Sequence, residues 1–168
     1  MTVVAGSDYF FCEYCGAYAF PSPSQDGVVT LGERGNVACP VCSTELVTAS
    51  VAEVPVLHCS KCRGVLAGQE AFSAMVKLLR ARASGEPEPV RPVSQKALER
   101  EIACPHCGQT MDTHPYYGPG NAVVDNCPRC AAIWLDHGEL ANIRDAPGRD
   151  RGRVQSEDYS LIDLLLEQ

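Results

Sequence analysis

All ten cysteines of the chain fall into Cys-x-x-Cys pairs, two spacers between pairs have hairpin length, and a helical pattern follows each of those hairpins. Together these observations predict a small α+β fold stabilised by metal. The expected architecture is a tandem of two four-cysteine units, each a short β-hairpin with two cysteine knuckles and a helix behind it. The pairs are Cys12/Cys15, Cys39/Cys42, Cys59/Cys62, Cys104/Cys107 and Cys127/Cys130. On this reading the chain divides into an N-terminal Cys-x-x-Cys segment with short strands (1–38), a first unit with its helix (39–83), and a Pro-rich linker with a short helix (84–103). A second unit with its helix (104–146) and a mobile connection leading to a C-terminal docking helix (147–168) complete it.

The spacing is what four-thiolate coordination needs. Two residues between thiols let one tight turn aim both sulfurs at a single ion, and a second such turn across a hairpin completes a tetrahedron at about 2.3 Å per Zn–S bond. Cys104-Pro105-His106-Cys107 and Cys127-Pro128-Arg129-Cys130 stand nineteen residues apart, and Cys39/Cys42 and Cys59/Cys62 stand sixteen apart. These eight cysteines are the expected metal ligands, with zinc as the ion. Iron is the rival, because rubredoxin-like knuckles use Cys-Pro-x-Cys-Gly. Cys104–Gly108 fits that phrase, whereas Ser43 and Ala131 break it in their turns.

Composition excludes several classes. The regular pairing is not that of a secreted disulfide framework, Met1–Gly6 has neither the basic start nor the apolar run of a leader, and no stretch reaches the roughly 20 apolar residues that cross a bilayer. A reducing, cytoplasmic setting without membrane contact is expected. Each unit is too small to fold on burial alone, so metal supplies much of the folding energy. The net charge of −7 becomes about −11 with two four-thiolate zinc centres, each of formal charge about −2, which disfavours non-specific nucleic-acid binding. Only residues 59–103 are basic, with eight cationic against five acidic side chains.

Along the chain, Tyr9–Phe11 reads as a strand entering the first pair, where Gly16 suits the left-handed residue that closes a knuckle. Aromatics at Tyr9, Phe10, Phe11, Tyr14, Tyr18 and Phe20 pack around that turn or form a partner surface. Val28–Leu31 is a short strand ending at Gly32. Glu45–His58 carries two strands with a turn near Ala52–Glu53. A helix starts near Gln69, with Phe72, Met75, Val76 and Leu79 on one face, and Gly85 and Pro87 stop it. Residues 84–93 form a stiff Pro-rich linker, and Ser94 caps a short helix. The second unit repeats the first. Val65 and Leu66 correspond to Ile133 and Trp134, and Glu70 and Glu139 stand in the first turn of each following helix, so an array of modules is expected instead of one large core. Asp136 reads as an N-cap, with Glu139 completing a capping box. Residues 147–153 read as a mobile polar connection, and Ser156 caps a last helix with Leu161, Ile162, Leu164 and Leu165 on its apolar face.

Cys104–Cys107 and Cys127–Cys130, followed by Ile133-Trp134-Leu135-Asp136-His137-Gly138-Glu139-Leu140, resemble the bacterial zinc-finger family related to the transcription factor IIB zinc ribbon. Cys39, Cys42, Cys59 and Cys62 match the ligand pattern too, but the first copy lacks the Trp and has Gly68 where Asp136 stands. The resemblance covers about half the chain. It implies tandem zinc ribbons, the first copy degenerate, with four cysteine ligands per site and no reaction. Its link to transcription rests on fold analogy.

Cys12 and Cys15 stay open. They could take a third zinc with histidines such as His58 or His114, or share a zinc with a second copy of the chain in a homodimer, since ten thiols make two and a half four-thiolate sites. They could also displace Cys59/Cys62 from the pairing, or act as a redox dithiol. At the tip of the second hairpin, His114-Pro115-Tyr116-Tyr117-Gly118-Pro119-Gly120-Asn121 exceeds the two residues a plain turn needs. Its tyrosines either form an exposed platform for a peptide or a base, or fold back on the ribbon. Four thiolates leave no open coordination position, and no Ser-His-Asp, H-E-x-x-H or P-loop pattern is present, so no catalytic residues and no enzyme are expected. The expected function is a zinc-binding adaptor or regulatory factor with a protein partner. Tyr116, Tyr117, His114, Lys77 and Arg80 are the candidate contacts. A nucleic-acid-binding transcription-related factor is the first alternative, and a thiol redox or metal-handling protein using Cys12/Cys15 the second.

Overall fold

The computed structural model describes residues 26–153, Ser24, and three short strands nearer the N-terminus. Those strands, β1 (Thr2–Val3), β2 (Phe10–Phe11) and β3 (Tyr18–Ala19), form a small antiparallel sheet of their own. Cys12, Cys15, Gly16 and the expected C-terminal helix after Ser156 lie outside the described residues.

Both ribbons share one sheet. The first supplies β4 (Val28–Ala38), β5 (Glu45–Val51), β6 (Val54–His58) and β7 (Val65–Gly68). The second supplies β8 (Asp112–Pro115), β9 (Val123–Cys127) and β10 (Ala132–Leu135). The order is β4-β5-β6-β7-β10-β9-β8, antiparallel throughout, so the junction between ribbons is the β7–β10 pair. The expected array of separate modules gives way to a single sheet, because each second knuckle leads into a four-residue apolar strand before its helix. Val65, Leu66, Ala67 and Ala132 to Leu135 are all buried. Too short to read by periodicity, these two strands satisfy their backbone groups on each other.

Alternation along the strands separates two cores. Val65, Ala67, Ile133 and Leu135 face helices α1 (Gln69–Ala81) and α3 (Glu139–Asp145), together with Val51, Val56, Val124, Phe72, Met75, Leu140 and Ile143. Leu66, Ala132 and Trp134 face the opposite side, with Leu46, Ile102, Met111 and the cysteines. Both faces are therefore covered, unusual for a small antiparallel sheet.

Local structure follows the sequence in most places. Ala52 and Glu53 take φ of 48° and 67°, the two positive values a tight hairpin turn demands. α1 starts at Gln69 as expected, and Ser94 Oγ accepts from Ala97 N at 3.2 Å to cap α2 (Gln95–Leu98). Three readings are corrected. β4 does not stop at Gly32 but runs on to Ala38, with register shifts that let four residues cross two of β5 twice. Gly32 and Asn36 take positive φ in these irregular stretches. Asp136 does not cap α3. Its side chain is drawn off to Trp134 and Arg100, and Gly138 stands at the N-cap with φ 91°. Half of the expected box survives, because the Glu139 carboxylate accepts from Asp136 N at 2.7 Å and from Val123 N at 2.9 Å. Burial pushes that carboxyl up to about 8. The α3 N-terminus is capped from a distance by Asp26, buried at 2% exposure, whose carboxylate accepts from Gly138 N (2.8 Å) and Ala141 N (3.0 Å) and meets His137 Nδ1 at 2.8 Å.

The third correction concerns the tail of the second unit. Residues 147–152 read as mobile but are strapped down. Arg80, 1% exposed, donates to Ile143 O, Ala146 O and both carboxylate oxygens of Asp150, and Arg80 O accepts from Gly152 N at 2.9 Å. Arg151 donates to Gly85 O and Ser84 O at 2.8 and 2.9 Å, and Glu88 N to Asp145 O at 2.8 Å holds the linker on α3. Replacing Arg80 with Met keeps much of the volume but leaves two buried carbonyls unpaired, which should cost about 2 kcal/mol. Urea denaturation of the metal-loaded protein checks this; a change within about 0.5 kcal/mol, the ordinary range of surface substitutions, would contradict it.

Candidate metal centres

Three of the four knuckles begin with a turn whose first cysteine is tied at both backbone groups. Cys39 N donates to Thr44 O at 2.8 Å while its carbonyl accepts from Ser43 N at 2.9 Å. Cys59 pairs in the same way with Gly64 O (2.9 Å) and Arg63 N (2.8 Å), and Cys104 with Gln109 O (2.7 Å) and Gly108 N (2.8 Å). The residue after the second cysteine is left-handed in all four knuckles: Ser43, Arg63, Gly108 and Ala131 have φ of 57°, 63°, 73° and 49°. Closing the turn thus demands the conformation that glycine adopts freely, but three of the four positions accept strain to reach it. The distinction drawn from Ser43 and Ala131 between zinc and iron knuckles therefore has no conformational basis.

The turns bring the expected ligands together in two groups, Cys39/Cys42/Cys59/Cys62 and Cys104/Cys107/Cys127/Cys130, the four sulfurs of each lying within 4.8 Å of one another. The Sγ pairs Cys39–Cys62, Cys42–Cys59 and Cys107–Cys127 are 3.5, 3.4 and 3.6 Å apart. A tetrahedron with 2.3 Å arms has edges of about 3.8 Å, so the donor sets fit a zinc-sized thiophilic ion after a small outward adjustment. In each group the first cysteine of each pair is buried and the second half-buried.

The thiols are electrostatically uneven. Thr44, whose hydroxyl lies 3.4 Å from the sulfur, lowers Cys42 to about 6, and the Gln109 N–H lowers Cys107 to about 7. Burial raises Cys39, Cys62 and Cys104, and the neighbouring Cys107 sulfur lifts Cys130 to about 12. Four thiolates at this spacing repel one another, and a bound cation relieves that repulsion. Val41 N at 3.4 Å from Cys39 Sγ, and Cys62 N at 3.5 Å from Cys59 Sγ, point amide dipoles at the sulfurs.

Neither candidate histidine joins either of the two described cysteine groups; Cys12 and Cys15, with which they were expected to pair, lie outside the described residues. His58 is buried at 8% exposure, its Nδ1 has no partner among the described residues, and burial lowers its pKa. His114 lies instead against Tyr117, ring centroids 5.5 Å apart and planes at 19°. The two tyrosines part company. Tyr116 folds back with its ring edge-on to Phe72 at 5.2 Å, while Tyr117 is 90% exposed. Lys77 is exposed on α1, beside a groove that also takes in Ser73 and Cys130. Arg80 is withdrawn from the expected contact surface, its donors being used inside the fold, and Arg82 is paired with Glu53 at 3.0 Å.

Sequence reasoning missed Asp26 and the polar chain behind Trp134. Trp134 Nε1 donates to Asp136 Oδ1 at 3.0 Å, Arg100 bridges Asp136 and the buried Asp125, and Thr113 donates to Asp125. A lone Arg just past the linker helix gives no sequence signal for such a bridge. No helix among the described residues is long and apolar enough to cross a membrane.

Residues 38–70 and 103–146 match the family described as transcription factor zinc-finger, of the transcription factor IIB zinc-ribbon type. Those two segments contain all eight clustered cysteines. No curated protein and no solved structure matches the chain.

Relieving left-handed strain should stabilise the knuckles. Ala131→Gly removes a cost of about 1–2 kcal/mol and adds about 0.5–1 of backbone entropy, for a net gain below about 1.5 kcal/mol. Chemical denaturation of the metal-loaded variant reads it; a loss of stability would refute the strain argument.

Proposed function

Since the chain carries two copies of the transcription factor zinc-finger, we propose that it is a zinc-stabilised adaptor that presents one aromatic platform to a protein partner. Zinc follows from the family and from the four-sulfur donor sets. With four thiolates per ion the coordination shell is closed to water, so the role of each metal is to hold the sheet together.

The observation that carries the reading is the exposure of Tyr117. Large apolar side chains of the ribbons are otherwise covered, with Val41 at 42% and Val90 at 47% the other well-exposed ones among the described residues. Tyr117, at 90%, is held against His114 on one side and open on the other. Its loop is anchored by Tyr116 on the core and by Asn121 Nδ2, which donates to Arg91 O at 3.0 Å. A rigid, amphipathic ring that loses little entropy on docking is the residue type that dominates protein interfaces. The net charge of −7, with Arg80 and Arg82 engaged within the fold, favours protein over nucleic acid.

Site-specific crosslinking in the producing cell tests this. With p-benzoylphenylalanine in place of Tyr117, illumination should yield a discrete protein adduct, and the same probe at Val90 should not. His114→Ala, which removes the stacked support, should reduce the yield without altering the metal content. Adducts to nucleic acid alone, or an equal pattern from both positions, would overturn the proposal.

A further inference from the structure

We propose that Trp134, which belongs to the second ribbon, is a positioning residue for the metal site of the first. Leu66 and Trp134 hold the same place in the two copies, each the fourth residue after its knuckle's last cysteine. They are also directly opposite one another across the β7–β10 pair. The local two-fold relation between ribbons therefore passes through these two side chains, and both point to the face that carries the cysteines. With Leu66 in the corresponding place of the first copy, a single indole fills the centre of the junction.

The indole reaches across the pseudo-axis to Gly64. A Cβ on Gly64 would fall 2.2 Å from Trp134 Cζ2 and 2.8 Å from Cη2, so the ring occupies the space a side chain would need. Gly64 lies just past the first ribbon's second knuckle. Its carbonyl accepts from Cys59 N at 2.9 Å, and Cys62 N in turn lies 3.5 Å from the Cys59 sulfur. The ring thus presses on the residue that closes that knuckle, bonded to its first cysteine and two positions beyond its second. It cannot swing away, because it is fully buried and its Nε1 is held by Asp136, which accepts from Arg100, itself anchored on the buried Asp125. The equivalent of Gly64 in the second ribbon is Ala132, and the equivalent of Trp134 is Leu66: the largest ring goes with the smallest residue, the smaller side chain with the larger.

The test is a double-mutant cycle on cadmium-loaded full-length protein, reading each site by its own ¹¹³Cd resonance and by release of metal to a chelator. Cys42→Ser assigns the first-site signal. Gly64 does not have positive φ, so Gly64→Ala is conformationally permitted and acts through the added methyl. In the Trp134 background it should speed release from the first site about 10- to 100-fold, the usual cost of disturbing a metal's supporting shell, and shift that resonance. In the Trp134→Leu background, where the ring is gone, Gly64→Ala should have little effect. The second site's resonance should move little on Gly64→Ala. As Trp134 is the single tryptophan of the chain, its emission offers an independent readout, and Gly64→Ala should alter it. Equal effects of Gly64→Ala in both backgrounds, or equal loosening of both sites, would overturn the proposal. Should Trp134→Leu fail to fold, Trp134→Phe, which shortens the ring system away from Gly64, takes its place with the same expected non-additivity.

Discussion

The pairing of β7 with β10 is the contact on which the rest of this structure depends. Four residues from each ribbon lie in register, Val65 against Leu135 and Gly68 against Ala132, and through them two small hairpins become a seven-stranded sheet. A lone ribbon of this size exposes both strand edges and has one thin core. Joining two removes an edge from each and lets the apolar side chains of both ribbons pack around all the metal knuckles. The metal sites then sit in a single continuous cluster, with Cys39, Cys59, Cys104 and Cys127 buried among Leu46, Leu66, Ile102, Met111 and Trp134. The opposite face gains α1 and α3, which no single ribbon could cover alone.

Polar groups close the remaining gaps. Asp26 satisfies the start of α3 from more than a hundred residues away, which docks the end of the N-terminal segment on the second ribbon. Arg80 satisfies its far end and pulls residues 146–152 against α1. Arg100, between Asp125 and Asp136, fastens the linker helix to the second ribbon and fixes the indole. Each of these side chains is charged, partly or fully buried, and paired, the arrangement in which removal of one partner is costly and the geometry is well specified. The seven-stranded sheet is in this way clamped at both helix termini and along its linker.

Local features of the fold were legible in the sequence because they are set by local chemistry. Cysteine spacing led to the two four-sulfur groups, the 3.6-residue rhythm of Phe72, Met75, Val76 and Leu79 led to α1, and Ser94 led to its cap. What was not legible is non-local. Four apolar residues after a knuckle are equally a strand or the approach to a helix, so β7 and β10, and with them the union of the ribbons, could not be read. A D-x-x-E pattern suggests a capping box, but the tryptophan two residues earlier competes for the aspartate and wins. Arg80 sits in a run of basic residues that looks solvated, and only the position of α3 shows it to be interior. At the candidate platform the sequence could not separate Tyr116 from Tyr117; the nearness of Phe72 decides which folds back.

Native mass spectrometry during stepwise chelation tests the central claim most directly. In protein carrying Cys12→Ser and Cys15→Ser, so that only the two clustered groups can bind, the account predicts two zinc ions per chain. It also predicts their joint loss, passing from the two-zinc to the zinc-free species with little of the one-zinc form, because the ribbons share one sheet and a single cluster holds all eight cysteines. A long-lived, compact one-zinc species would show that the ribbons fold independently and would contradict the account; fewer than two metals in the starting protein would remove its foundation.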